Sequence, residues 1–161
     1  MKMEKGQKCL AVVRVRGASN VRREVQDTLG MLSLTRNCHA TLVDDRLSYS
    51  GMLQKAQSYV TWGEASKETV ALLLKERGRS IRNERLDDEY ARKAGYDSLD
   101  KLAEAIHRLD VQFRSLRDIK PVFRLHPPRK GFKRSVKKSY RGNGETGYRG
   151  EAVNDLIKRM T

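Results

Sequence analysis

A chain of 161 residues has room for one good-sized domain or two small ones. Hydrophobic residues at 38% and charged residues at 34% allow a modest core under a heavily charged surface, which excludes a wholly disordered chain. A net charge of +14 makes a polyanion the favoured partner, nucleic acid first, and no run of about 18 apolar residues is present to span a bilayer.

The N-terminal stretch is basic, but Leu10 to Val13 is its only unbroken apolar run, too short for a signal peptide. Cys9, Ala11, Val13 and Val15 alternate with Leu10, Val12 and Arg14, the pattern of a strand. Ser19 and Asn20 offer N-caps for a first helix carried by Val21, Val25, Leu29 and Leu32. Cys38, Ala40 and Leu42 alternate with His39, Thr41 and Val43 in a second strand that closes on Asp44 and Asp45, a turn composition. Met52, Leu53, Ala56 and Val60 mark a short second helix with Gly51 as its weak point, and Tyr59 to Trp62 is rich in strand formers. Residues 1–64 therefore read β-α-β-α-β.

Residues 66–118 hold twelve basic and eleven acidic side chains, so their charges nearly cancel, and their apolar positions keep helical spacing. Val70, Leu73 and Leu74 carry one helix, with Gly78 as its C-terminal stop; Leu86, Tyr90 and Ala94 carry a second. Ser98 caps a third, with Leu99, Leu102, Ala103 and Ile106 as its buried stripe, and Gly95 separates the last two into a hairpin. This predicts a packed helical module over 65–119 with a solvated charged exterior. Pro121 opens a short strand, VFRL, which Pro127 and Pro128 end because neither can donate to a ladder.

From Lys120 to Gly150 there are ten Lys and Arg against a single acid, Glu145, with five glycines from Gly131 onward. So few aliphatic residues predict an extended arm, within 120–150, that buries no core of its own. Val153, Leu156, Ile157 and Met160 then predict a C-terminal helix over 151–161 that packs back on the body.

Cations spaced every second or third residue on an extended chain suit the phosphates of nucleic acid, and binding there releases counterions. Arg129, Lys130, Lys133, Arg134, Lys137, Lys138 and Arg141 have that spacing, while Phe132 and Tyr140 among them can stack on unpaired bases. The competing reading is a solvated tail; the helix that follows the arm favours RNA contact.

Catalysis has no comparable support. His39, His107 and His126 form no metal or protease motif, and Asp44-Asp45 and Asp87-Asp88-Glu89 suit a turn and a helix N-terminus. Phosphate-loop, dinucleotide and serine-elbow motifs are absent, and two lone cysteines, Cys9 and Cys38, cannot make a zinc site. Both cysteines lie in strand-like apolar runs, which predicts buried free thiols and a reducing compartment. No catalytic residue, metal, cofactor or small-molecule substrate is expected.

Four stretches of the chain resemble large-subunit ribosomal protein thirty in its long archaeal form: LAVVRVRG at 10–17, LGMLSLTRNCHATLVDD with the following SGML at 29–53, PVFRLHPPRKGFK at 121–133 and GETGYRGEAVNDLIKRM at 144–160. The last two are the most specific. Bacterial members are similar only over about the first 60 residues, and eukaryotic members add a basic N-terminal extension not seen here, so the resemblance implies an archaeal source. It implies an α+β fold: a small β-α-β-α-β unit with an antiparallel sheet, akin to the ferredoxin-like fold, to which a helical module and a basic C-terminal arm are added. The function it implies is architectural, in a cytoplasmic ribosome: binding large-subunit ribosomal RNA near the 5S RNA, beside neighbouring large-subunit proteins. The basic motif of the family falls on Arg124, Arg129, Lys130, Lys133, Arg134 and Lys137. The family pattern often has two glycines after Pro-Pro-Arg, and Lys130 stands in place of the first. An RNA-processing or RNA-modifying enzyme would need a cofactor loop or catalytic constellation. A free DNA-binding regulator would need a basic recognition helix, whereas the charge here lies on a coil.

Overall fold

The computed structural model describes residues 8–161; the start of the basic N-terminal stretch, with Lys2 and Lys5, lies outside the described residues. The first unit comprises β1 (Cys9–Arg14), α1 (Arg23–Met31), β2 (His39–Asp44), α2 (Leu47–Lys55) and β3 (Val60–Glu64). Strand β1 lies between its two partners and is antiparallel to both, with Val13 opposite Ala40 on β2 and Thr61 on β3. All six of its residues are buried, as a central strand covered on both faces requires. The alternation in CLAVVRV divides the interior. Cys9, Ala11, Val13 and Val15 face one apolar cluster, while Leu10 and Val12 face a second with Leu29, Leu32, Leu53 and Val60 under α1 and α2. Neither Ser19 nor Asn20 caps α1. Asn20 takes a left-handed turn at φ 56° instead, and the helix starts after Arg22 without a side-chain cap.

The charged middle of the chain forms α3 (Lys67–Leu72), running into a π-helical turn at Leu73–Arg77, then α4 (Asp88–Lys93) and α5 (Leu99–His107). Their side-chain caps are Ser66, Asp87 and Ser98, each accepting from the backbone N–H three residues on. Leu99, Leu102, Ala103 and Ile106 of α5 are buried as expected. Gly78 does end its helix, but in an extended conformation (φ −62°, ψ 135°): a Cβ there would lie 2.4 Å from the Leu74 carbonyl oxygen and 2.6 Å from Leu86 Cδ1. Close packing, not a left-handed turn, requires glycine at this position.

The last 40 or so residues add β4 (Phe123–Arg124), β5 (Ser135–Ser139), β6 (Gly144–Tyr148) and α6 (Ala152–Met160), completing a six-stranded sheet of order β4-β2-β1-β3-β6-β5. Strand β4 is antiparallel to β2, with Ala40 opposite Phe123, and Phe123 stacks on Phe113 at 4.7 Å between ring centroids. The two C-terminal strands join in parallel, β6 on β3 and β5 on β6. The stretch expected to bury nothing therefore divides. Residues 129–141 stay on the surface, while Glu145, Thr146 and Arg149 enter the interior. Apolar burial does not explain that entry; polar pairing does. Arg149 Nη2 donates to Glu145 Oε2 at 2.7 Å and to the Glu145 carbonyl at 2.6 Å, and Arg149 Nε donates to Thr61 Oγ1 at 2.7 Å. Thr61 in turn donates to the Gly147 carbonyl at 2.8 Å. Helix α6 buries Val153, Leu156, Ile157 and Met160, each full burial contributing about 1.5–3 kcal/mol.

Both cysteines are free and buried. Burial, reinforced by Asp44, pushes the Cys9 thiol up to about 12, and burial also raises that of Cys38.

Two tests follow from this packing. A Cβ on Gly63 would sit 1.8 Å from the Gly150 carbonyl oxygen, whereas one on Gly51 in α2 meets nothing within 4 Å. In urea unfolding, Gly63→Ala is expected to lose at least about 1–3 kcal/mol and Gly51→Ala to gain about 0.5–1 kcal/mol. Arg149→Met strands the Glu145 carboxylate in the interior and should cost about 3–5 kcal/mol, most of it recovered when Glu145→Gln is added. Equal stability of the single and double variants would show that the pair does not hold β6 in place.

Candidate nucleic-acid interface

The basic stretch begins where the Pro-Pro-Arg turn leaves the sheet. Lys130 adopts φ 64° and Gly131 φ 70°, two consecutive left-handed residues, and the Gly131 N–H donates to the Pro128 carbonyl at 2.8 Å. The turn thus places in a left-handed conformation the very position where the resembling family often has glycine. A lysine there carries strain of order 1–3 kcal/mol, and the surroundings offset it. The Arg129 N–H donates to the Arg159 carbonyl at 2.9 Å, and the Arg159 guanidinium donates back to the carbonyls of Arg129, at 3.2 Å, and Gly131. His126 N–H donates to the Met160 carbonyl at 3.1 Å. The C-terminal turn of α6 therefore clamps the turn that displays Arg129 and Lys130, both exposed.

Beyond the turn, Phe132 is half-buried against the main core cluster, so its ring packs inward in place of the base stacking expected of it. Lys133, Arg134, Lys137 and Lys138 are exposed on and before β5, the outer edge of the sheet. Edge lysines also discourage pairing with another strand. Glu145 positions this edge: its Oε1 accepts from the Arg134 backbone N–H at 3.1 Å while its Oε2 holds Arg149. Thr146 Oγ1 donates to the Lys138 carbonyl at 3.0 Å. Tyr140, half-buried, has the Arg149 guanidinium 4.9 Å and that of Arg134 5.3 Å from its ring centroid, and Arg141 is exposed beside it.

Arg124 is exposed on β4 at the opposite edge, directly across from His39, so the width of the sheet separates it from the cations on β5, Lys137 and Lys138. It belongs to a second basic region that sequence reasoning missed. The β2–β4 register makes His39 and Arg124 cross-strand partners, and Arg36 and Arg14 also lie close enough to act on His39. His39 is driven toward its neutral form by burial first, then by Arg124, Arg36 and Arg14. Arg14 is buried, with Nη1 donating to the Leu34 carbonyl at 2.7 Å and Nη2 without a partner. Strand alternation grouped Arg14 with Leu10 and Val12, and His39 with Thr41 and Val43, but only the tertiary structure brings the two strands' charges together.

Charge balance distinguishes the basic arm from the helical module, where five of the twelve cations are ion-paired and acids nearly match bases. In the helical module Lys67 pairs with Glu104 at 3.3 Å, Lys75 with Asp100 at 2.7 Å, Lys93 with Glu89 at 3.3 Å, and Lys101 with Asp97. Among the described residues, no ion pair involves Arg124, Arg129, Lys130, Lys133, Arg134, Lys137, Lys138 or Arg141. The module nearly balances its own charge; the arm does not. Among the described residues, no group of three or more acidic, His or Cys side chains is arranged to hold a metal ion.

The profile of the family described as Ribosomal protein L30p/L7e matches residues 10–60, which run from β1 to the start of β3. Similarity to whole relatives extends much further. Large ribosomal subunit protein uL30 of Methanosphaera stadtmanae is 45% identical over 153 residues, covering 93% of this chain and 98% of the relative. The proteins of the same name from Methanobrevibacter smithii and Archaeoglobus fulgidus are each 47% identical, over 92% and 93% of this chain and 97% and 98% of their own. Identity at this level over nearly the full length of both partners includes the helical module and the basic arm as well as the first unit, and on that ground the chain belongs to the Ribosomal protein L30p/L7e family.

Proposed function

We propose that this protein is a structural, non-enzymatic component of the large ribosomal subunit, bound to ribosomal RNA mainly through phosphate contacts of its C-terminal basic surface. The observation that carries the reading is the run of eight exposed, unpaired cations from Arg124 to Arg141 with no acid among them, in a protein whose helical module nearly balances its own charge. Phosphates are the complementary partner, because flexible lysine and arginine side chains neutralise a backbone without the fixed bidentate geometry that discriminates bases. Arg129, Lys130, Lys133, Arg134, Lys137, Lys138 and Arg141 are the contact residues, with Arg124 reaching RNA from the far edge. Tyr140 and its arginine neighbours stand beside the backbone track, and Phe132 supports the track from within. A cytoplasmic, ribosome-bound location, neighbouring large-subunit proteins and a position near the 5S RNA complete the proposal, supported by the family resemblance.

Replacing Lys133, Arg134, Lys137 and Lys138 with alanine tests it. Binding to large-subunit RNA fragments should weaken, and the slope of log affinity against log salt should flatten by roughly 0.7–0.9 for each phosphate no longer neutralised, about 3 if all four side chains meet one. Thermal stability should change little, because all four side chains are exposed. A folded quadruple variant with unchanged affinity and unchanged slope would make this segment a solvated edge and overturn the assignment.

A further inference from the structure

Beside the basic edge lies an open cleft of about 340 Å³ whose walls include Gln54, Gln57, Trp62, Tyr140, Arg141 and Tyr148. It collects the chain's single tryptophan and two of its six tyrosines. The parallel register of β3 and β6 sets Trp62 directly beside Tyr148, with ring centroids 6.5 Å apart and planes tilted by 54°. Tyr148 is 40% exposed, yet its ring is held in place: the phenol donates to Glu64 Oε1 at 2.6 Å. Tyr140 is steadied by the two guanidiniums near its ring. The cleft is also lined by Gly147, which has φ +84° and nothing within 4 Å of where a Cβ would be, so no side chain fills that wall. Among the described residues no carboxylate lines the cleft, and Arg141 stands at its rim with Lys137 and Lys138 on the adjoining strand.

Resting on the reading of this protein as RNA-binding, we propose that the cleft is a stacking site for one unpaired nucleobase, with the exposed Tyr148 ring as the stacking face and the tilted Trp62 ring against the base edge. Fixed, accessible aromatic faces next to backbone-neutralising cations are the recurring requirement for holding single-stranded nucleic acid. The Gln54 and Gln57 amides are exposed and can donate to or accept from the edge of a base. The surrounding positive charge favours a nucleotide, whose phosphate Arg141 can meet, over a cationic or neutral peptide. Stacking of this kind is tolerant of base identity, so it adds a point of attachment to the phosphate contacts without making them sequence-specific.

The single tryptophan makes the test direct. The full chain is titrated at low salt with a short oligoadenylate and with an abasic ribose-phosphate oligomer of the same length, reading Trp62 fluorescence and, separately, binding by retention of labelled oligomer. Saturable quenching by the oligoadenylate but not by the abasic oligomer, with both bound, is the expected result. Tyr148→Ala and Trp62→Leu should each weaken oligoadenylate binding by roughly fivefold to a hundredfold while leaving the abasic oligomer unaffected. Because Trp62 also packs against the second core cluster, Tyr148→Ala decides the matter if Trp62→Leu fails to fold. Binding of both oligomers with no quenching, or with equal quenching, overturns the stacking site and leaves the phosphate reading standing. Failure of both oligomers to bind defeats the RNA reading and the cleft assignment together.

Discussion

The buried pair between Glu145 and Arg149 is the interaction on which the C-terminal half of the surface depends. Glu145 is the only acid between Lys120 and Gly150, and it is held inside the protein with one carboxylate oxygen on Arg149 and the other on the Arg134 backbone. A buried ion pair is tolerable only when its remaining donors and acceptors are satisfied. Thr61, the Glu145 carbonyl and the Arg134 N–H satisfy them here. The result is a parallel strand docked on β3 with little aliphatic surface of its own, carrying an exposed basic strand at its side.

Charge is therefore organised in two ways within one chain. The helical module places acids and bases within reach of each other, including pairs one helical turn apart at Lys93 with Glu89 and Lys101 with Asp97. Exposed pairs of this sort contribute little stability each, but they leave the module without a strong field. The arm commits its only acid to the interior and so keeps its cations unpaired at the surface, where they can replace the counterions of a polyanion. The acid that orders the arm is thus kept apart from the cations exposed on it.

The Pro-Pro-Arg turn shows the same division from the other end. Lys130 holds a left-handed conformation that a glycine would hold without strain, and the clamp from Arg159 and the end of α6 maintains it. An extra cation is presented at the place where the chain leaves the core. The apolar stripe of α6 makes this possible, because burying Val153, Leu156, Ile157 and Met160 fixes the helix whose last carbonyls receive the turn.

Sequence alone determined the features whose cause is local. The alternation in CLAVVRV and NCHATLVDD, the stripe of α5, the capping by Ser98 and the apolar positions of α6 all follow from side-chain period and short-range hydrogen bonding, and the structure places each as expected. The basic run was legible for the same reason, since charge per residue needs no fold to be counted. What only the tertiary structure decided is whatever joins residues distant along the chain. Glu145 reads as a stray acid until Arg149, Thr61 and Arg134 surround it, and Phe132 reads as a free ring until the core cluster lies beneath it. Trp62 and Tyr148 are 86 positions apart and become neighbours only through a parallel pairing that no turn between them specifies. Strand alternation is set within a strand, but strand partners and registers are set by the packing of the whole core, and the geometry of this surface depends on those partners.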